Sequence, residues 1–291
     1  MNAPQNTPQN TRGLERRMGD WARARLPFAL AEFTMFVLKQ GWACLFGGML
    51  LAGIITTKLI WQPDWPLHRY DALFLFAIGI QALFLWKKLE TWEEARVILL
   101  FHLTGTVMEW FKVNAGSWGY PEPGVFVILN VPMFSGFMYA AVGSYIVRVI
   151  RIFDMRFTPY PPFWQTYVLA GAIYINFFAH HFLPDIRIGL FIATVVIFGR
   201  TRVYFRIHDR EWWMPKPVAG LLAALALWVA ENVGTATGTW LYSGQAPQHW
   251  VSFAKLGSWY LLLYVAFATV SLVSRQALYP KGRPVQTRPR Q

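Results

Sequence analysis

Residues 132–147 read Pro132-Met-Phe-Ser-Gly-Phe-Met-Tyr-Ala-Ala-Val-Gly-Ser-Tyr-Ile-Val147, without one charged side chain. With its neighbours such a run approaches the roughly 20 residues that a helix needs to cross hydrocarbon. Leu73–Trp86 and Leu261–Val273 read the same way. Over all 291 residues, 55% are hydrophobic and 14% charged, against roughly 25% charged in soluble domains. There is too little charge to solvate such a chain, so the sequence predicts an all-α, polytopic membrane helix bundle.

Apolar stretches bounded by proline or charge give about eight transmembrane helices. They are Phe33–Ile60, Tyr70–Trp86, Glu94–Phe111, Met133–Ile152, Phe163–Phe182, Ile186–Phe205, Pro217–Val233 and Lys255–Ser274. The membrane domain is then 32–275, between a basic N-terminal segment, 1–31, expected to be disordered, and a basic tail, 276–291. Lys and Arg accumulate on the cytoplasmic side of short loops. With a cytoplasmic N-terminus, most of the 27 Lys and Arg fall on the inner side. Only Lys58, Arg69, Lys112, Arg187 and Lys255 remain at outer ends, with Lys39 inside the first helix. Both termini are therefore expected in the cytoplasm. The polar start, Met1–Thr11, lacks the pattern of a cleaved signal peptide.

The net charge of +12 would point to nucleic acid in a soluble protein. Here the basic residues lie between apolar runs, so membrane lipid is the expected partner and nucleic acid is not. The single cysteine, Cys44, excludes an internal disulfide.

One segment repeats. Glu109-Trp-Phe-Lys-Val-Asn-Ala-Gly116-Ser-Trp118-Gly-Tyr120 and Glu231-Asn-Val-Gly-Thr-Ala-Thr-Gly238-Thr-Trp240-Leu-Tyr242 share the pattern E-x6-G-x-W-x-Y. It falls at the outer ends of the third and seventh predicted helices. Two four-helix halves, about 32–153 and 154–275, would each hold an even number of spans and so be parallel repeats. The competing reading is recurrent interfacial vocabulary, since Trp and Tyr gather in aromatic belts.

Glu109 and Glu231 are the only acidic residues in the apolar part of a predicted span. A charge at the centre of a membrane helix costs about 2.5–3.5 kcal/mol, so such a residue faces the bundle and marks function by default. Desolvation favours the neutral acid, which could donate a proton. The structural alternative is an ion pair, Glu109 with Lys112 and Glu231 with Lys255. His102 lies two turns from Glu109 on one helix face and joins the two acids as a catalytic candidate. Trp118, Tyr120, Trp240, Tyr242, Asn176, His180, His181 and Lys255 are candidates for substrate binding, the aromatics because their faces could stabilise a developing cation. Metal binding by His and carboxylate ligands stays open but is not favoured, because the six histidines lack repeated His-x3-His or His-x2-His-His spacing, and no metal site is assigned. No phosphate-binding loop, Rossmann fingerprint or nucleophile elbow is present, and no cofactor is expected.

The strings Glu32-Phe-Thr-Met-Phe-Val-Leu-Lys-Gln-Gly-Trp-Ala, Leu89-Glu-Thr-Trp-Glu-Glu-Ala-Arg96, Phe101-His-Leu-Thr-Gly-Thr-Val-Met-Glu109, Gly116-Ser-Trp-Gly-Tyr-Pro-Glu-Pro123 and Phe134-Ser-Gly-Phe-Met-Tyr-Ala-Ala-Val-Gly-Ser-Tyr145 resemble the YoaT-like family of bacterial membrane proteins. The likeness covers Glu32 to Arg275, implies a bacterial inner-membrane location and brings no assigned activity. Glu231-x-x-Gly234-x-x-Thr237-Gly238 with Trp240 and Tyr242 is also distantly similar to a motif of membrane carotenoid hydratases and intramembrane lycopene cyclases. That resemblance implies a membrane-embedded acid that protonates a polyene.

Three functions compete on these residues. In an enzyme acting on an isoprenoid-like lipid, Glu109 or Glu231 would be the general acid, Trp118 and Trp240 would line the cation, and a partner carboxylate or His would return the proton. In a proton- or cation-coupled transporter of a small molecule, the halves would rock about the two acids; it would need helices broken near the midplane, for which Gly47-Gly48 and Gly234 are the only candidates, whereas the repeated motif lies toward the outer face. A structural membrane protein would have no use for the repeated acids.

Overall fold

The computed structural model describes residues 17–21, 24–207, 210–244 and 249–273. The expectations for residues 1–16 and for the tail 276–291 lie outside them. Nine long helices are described: α1 Phe28–Ala43, α2 Leu45–Ile60, α3 Arg69–Trp86, α4 Trp92–Asn114, α5 Phe134–Ile152, α6 Phe163–Ala179, α7 Arg187–Phe198, α8 Lys216–Ala236 and α9 Phe253–Val273. Their core is one continuous apolar cluster including Phe46, Phe84, Phe101, Phe137, Ile146, Phe153 and Tyr264. Helix α5 is central, packing along α4 and against α1, α2, α3 and α9, while α9 also holds α6 and α8. Its buried string Phe134-Ser-Gly-Phe and its small residues let neighbours approach closely.

Helices α3, α8 and α9 (to Leu272) are long and apolar enough to cross a membrane. The outward faces of α3 and α8 carry exposed Leu75, Phe76, Ile78, Leu221, Leu225 and Val229, the kind of apolar surface that marks a membrane or partner contact. The expected single helix Phe33–Ile60 is two helices. α1 and α2 meet the same length and apolarity test only as a pair, bent by 73° at Cys44. The break exposes carbonyls of the last turn of α1, and the fully buried Arg148 on α5 donates to the Trp42 carbonyl at 2.9 Å. Arg148 in turn faces Glu90 at 3.5 Å. Glu90 also accepts from Gln81 at 2.7 Å and Ser144 at 3.2 Å. This network in the bundle interior satisfies a helix terminus that would otherwise be an unpaired polar group.

The all-α expectation needs a second correction, because short strands join the helices. β1 (Trp118–Gly119) pairs with β7 (Leu241–Tyr242), β2 (Val127–Ile128) with β3 (Val131–Pro132), and β4 (Arg156–Thr158), β5 (Arg202–Arg206) and β6 (Glu211–Pro215) form a three-stranded sheet. The expected helix Ile186–Phe205 therefore stops at Phe198. Beyond it, Arg202-Val-Tyr-Phe-Arg206 alternates outward and inward with the period of a strand, which fits a hairpin with β6 better than another helical turn. Lys39, buried on α1, ties this sheet to the bundle by donating to the Ile152 carbonyl at 3.3 Å and the Arg206 carbonyl at 3.2 Å.

The loop after β1 is held by the first residues of α3. Arg69 pairs with Glu122 at 2.7 Å and donates to the Ile54 carbonyl and to Thr239. Tyr70 donates to the Thr239 carbonyl. The Asp71 carboxylate accepts from the Val125 and Phe126 N–H groups.

Candidate functional site

Each copy of the repeated pattern ends its helix on glycine. Gly116 has φ +70° and Gly238 φ +65°, the left-handed conformation that glycine adopts at a helix C-terminus without steric cost. The closing hydrogen bonds are the same in both copies. Gly116 N–H donates to the Val113 carbonyl and Ser117 N–H to Lys112, while Gly238 donates to Thr235 and Thr239 to Gly234. The chain thereby turns back on its helix. Two residues after each glycine the Trp, and four after it the Tyr, lie on the same side of an extended segment and return to the glutamate.

The outcome is two matching shells. Glu109 Oε2 accepts from Trp118 Nε1 at 2.7 Å and from the Tyr120 hydroxyl at 2.8 Å, and its Oε1 accepts from the Tyr139 hydroxyl at 2.7 Å. Glu231 Oε1 accepts from Trp240 Nε1 at 2.7 Å and the Tyr242 hydroxyl at 2.5 Å, and its Oε2 from Trp259 Nε1 at 3.2 Å. Tyr139 on α5 and Trp259 on α9 are the third donors. Neither follows from the repeat spacing, because each comes from another helix. Trp118 pairs with Tyr242 and Gly119 with Leu241 in the β1–β7 ladder, so each motif meets the other in reverse order.

Both acids are almost fully buried, at 3% and 6% exposed. Among the described residues neither forms an ion pair with a lysine. Lys112 Nζ lies 2.9 Å from His181 Nε2 and over the Phe177 ring. Lys255 Nζ sits 3.8 Å from the centre of the Tyr242 ring, with Trp118 beyond it at 5.7 Å. Indole N–H groups can only donate. Six donors aimed at two side chains are the environment of carboxylates, since a proton on either acid must find one of the few partners able to accept it. Tyr139 and Tyr242 are such partners, because a phenol oxygen accepts as well as donates. In the loops, burial and the neighbouring Glu109 push the Tyr120 phenol well above its ordinary range, and burial and Glu231 do the same for Tyr242.

Glu109 and Glu231 line one cavity of about 1010 Å³ together with Trp118, Tyr120, Tyr139, Trp240, Tyr242 and Trp259. Gln40, Cys44 and Gly47 at the helix break border it, and an otherwise apolar lining continues to Phe157, Phe267 and Lys216. Asn176, His180 and Lys255 also line it. Asn176 at the same time fastens the α6–α7 turn, donating to Asp185 and accepting from the Ile186 N–H. His180 Nδ1 lies 3.0 Å from the Asn176 carbonyl. His181 is outside the lining, tilted against His180 with ring centres 4.3 Å apart. His102 is also outside it, packed on the Phe137 ring at 4.4 Å in the space that Gly136 leaves open. Among the described residues no group of three His, Cys, Asp or Glu side chains is placed to hold a metal ion.

Residues 32–267 match the family described as Protein of unknown function (DUF817). The chain is 38% identical over 245 residues to the Uncharacterized protein YoaT of Bacillus subtilis (strain 168), covering 84% of this chain and 92% of that protein. No solved structure matches.

Proposed function

The chain belongs to the DUF817 family, and from that premise we propose an intramembrane enzyme that draws an elongated isoprenoid-like lipid into its cavity and transfers a proton to it at Glu109 and Glu231. The single observation that carries this reading is that both glutamates, each with its aromatic donors, border the same largely apolar cavity. Its volume of about 1010 Å³ lies at the upper end of ordinary ligand sites, roughly 300–1,000 Å³.

The reading places the protein in a bacterial inner membrane with both termini in the cytoplasm, supported by the distribution of Lys and Arg. It takes the bundle as eight spans, α1 and α2 forming one broken span, in two parallel four-helix halves. The shared glycine caps, the matching shells and the reversed pairing of β1 with β7 support that duplication, because a two-fold axis through the Gly119–Leu241 pair would generate this register.

On this reading the donor shells offer the proton a route. A protonated Oε1 of Glu109 or Glu231 donates a hydrogen bond to the phenol oxygen of Tyr139 or Tyr242, whose own hydrogen then turns toward the cavity that both tyrosines line. Transfer of that hydrogen to a substrate double bond, with the carboxylic proton refilling the phenol, leaves a carbocation beside an anionic carboxylate. The carboxylate holds the new positive charge electrostatically, and nearby indole faces add to it. Lipid extracts of cells with and without the protein, compared by mass spectrometry, test this. An altered isoprenoid profile that Tyr242→Phe and Glu231→Gln abolish at unchanged protein level is expected, and an unchanged profile overturns it.

One observation favours a transporter as the second reading: the broken helix α1–α2 borders the cavity at Cys44 and Gly47, as the interrupted helices of carriers do. Uptake into proteoliposomes that responds to pH and is lost in Glu109→Gln and Glu231→Gln would support it. Uptake insensitive to both substitutions removes it.

A further inference from the structure

Lys216 lies at the far end of the same cavity and takes no part in the chemistry above. It is the first residue of α8, while Glu231 lies near that helix's other end, about 22 Å away at a rise of 1.5 Å per residue. Its side chain is 7% exposed. The ammonium lies over Phe267 at 4.3 Å, Tyr264 at 4.5 Å and Phe198 at 5.9 Å. Among the described residues no carboxylate, carbonyl or hydroxyl accepts from it, whereas the other two buried lysines reach the carbonyls of Ile152 and Arg206, for Lys39, and the His181 ring, for Lys112. The position also opposes the helix macrodipole, whose positive end is the N-terminus. A desolvated cation at that end of a helix, held only by aromatic faces, needs an anion. The cavity leaves room for one, since Lys216 is part of its lining.

We propose that Lys216 binds the carboxylate of a long-chain, apolar monocarboxylic acid whose hydrocarbon body runs along α8 toward Glu109 and Glu231. A single ammonium among phenyl rings matches one carboxylate. A diphosphate would require several further donors, whereas the rings of Phe157, Phe198 and Phe267 supply none and the Tyr264 hydroxyl is shared with Tyr260 at 3.3 Å. The inference rests on the reading of the cavity as a lipid site and names the class of lipid: an acid with its charged end on the inner side and its reacting part under the aromatic shells.

The test uses the full-length protein in detergent and a fluorescent polyene fatty acid, cis-parinaric acid, with its methyl ester as the uncharged control, followed by energy transfer from the protein's tryptophans. The acid is expected to bind at least tenfold more tightly than the ester. Lys216→Met should reduce that ratio to about one, and Lys216→Arg should keep it. Equal affinity of acid and ester in the unaltered protein overturns the proposal even if Lys216→Met does not fold. So does a ratio that Lys216→Met leaves unchanged, binding of neither compound, or displacement of the acid by butyrate at the same concentration as by a long-chain acid. Glu231→Gln is expected to preserve the ratio, so loss of the proton-transfer reading leaves this one standing. A ratio of one beside a lipid profile that still depends on Glu231 would remove only the lysine site.

Discussion

Trp118 and Tyr242 face each other across the two-residue β1–β7 ladder with ring centres 5.8 Å apart, and each gives its polar hydrogen to a different buried glutamate. The indole belongs to Glu109 and the phenol to Glu231. The shells thus share a wall of two packed rings.

The two acids should respond unequally to conversion to amides. At Glu231 both oxygens face an indole N–H, so a glutamine there sets its own N–H against a group that can only donate. At Glu109 the amide nitrogen can take the Oε1 position, where Tyr139 alone is the partner and can turn to accept. Glu231→Gln should cost about 1–3 kcal/mol and Glu109→Gln clearly less. Thermal unfolding in detergent checks the order, and equal losses would refute the donor argument.

Gly234 sits under the Trp240 indole, and a methyl group there would overlap the ring. Gly234→Ala should push the indole off Glu231 and lower stability by about 3 kcal/mol, from overpacking and a lost hydrogen bond to a charged acceptor. Gly171, on α6, has nothing within 4 Å of an added Cβ. Gly171→Ala should be neutral or stabilising by up to about 1 kcal/mol. Similar melting temperatures for the two variants would contradict the packing described.

Alkali should loosen the shells. The phenols of Tyr120 and Tyr242 are held well above their ordinary value of 10.0 by burial and by the carboxylates they serve. A group raised in the folded state stabilises fully below its unfolded value, and that stability is lost as pH rises past it. Melting temperature should therefore fall above about pH 10, and Tyr242→Phe should make the fall shallower. A slope that Tyr242→Phe leaves unchanged would assign the effect to other groups.

The kink between α1 and α2 depends on Arg148. Arg148→Met leaves Glu90 buried without its cation and the Trp42 carbonyl without its donor, and should cost about 3–5 kcal/mol. Adding Glu90→Gln should recover part of the loss. A double variant no more stable than the single one would show that the ion pair is not the source.

Much of this was legible in the sequence. The repeated E-x6-G-x-W-x-Y carries its own geometry: glycine reverses the chain, and a period of two brings Trp and Tyr to one side. Tyr139 completes the Glu109 shell from α5, so no spacing near that glutamate could announce it, and Trp259 completes the other from α9. The bend at Cys44 was hidden because it has no proline; its support, Arg148, is far away in sequence. The hairpin β5–β6 was masked by the apolar run before it, although the alternation in Arg202-Val-Tyr-Phe-Arg206 was there to be read. His102 is on the same helix as Glu109, but helix phase says nothing about where a cavity ends. The Phe137 ring and the space beside Gly136 claim its imidazole instead.

Arg69, Tyr70 and Asp71 are consecutive, yet they fasten Glu122, Val125 and Phe126 from one motif loop and Thr239 from the other. The roof over the two glutamates is thereby riveted to a single helix end, and its two flaps cannot swing apart one at a time. On the proposed reading of the cavity as a lipid site, the guest's easier road is then sideways, from among the acyl chains, rather than down through that roof.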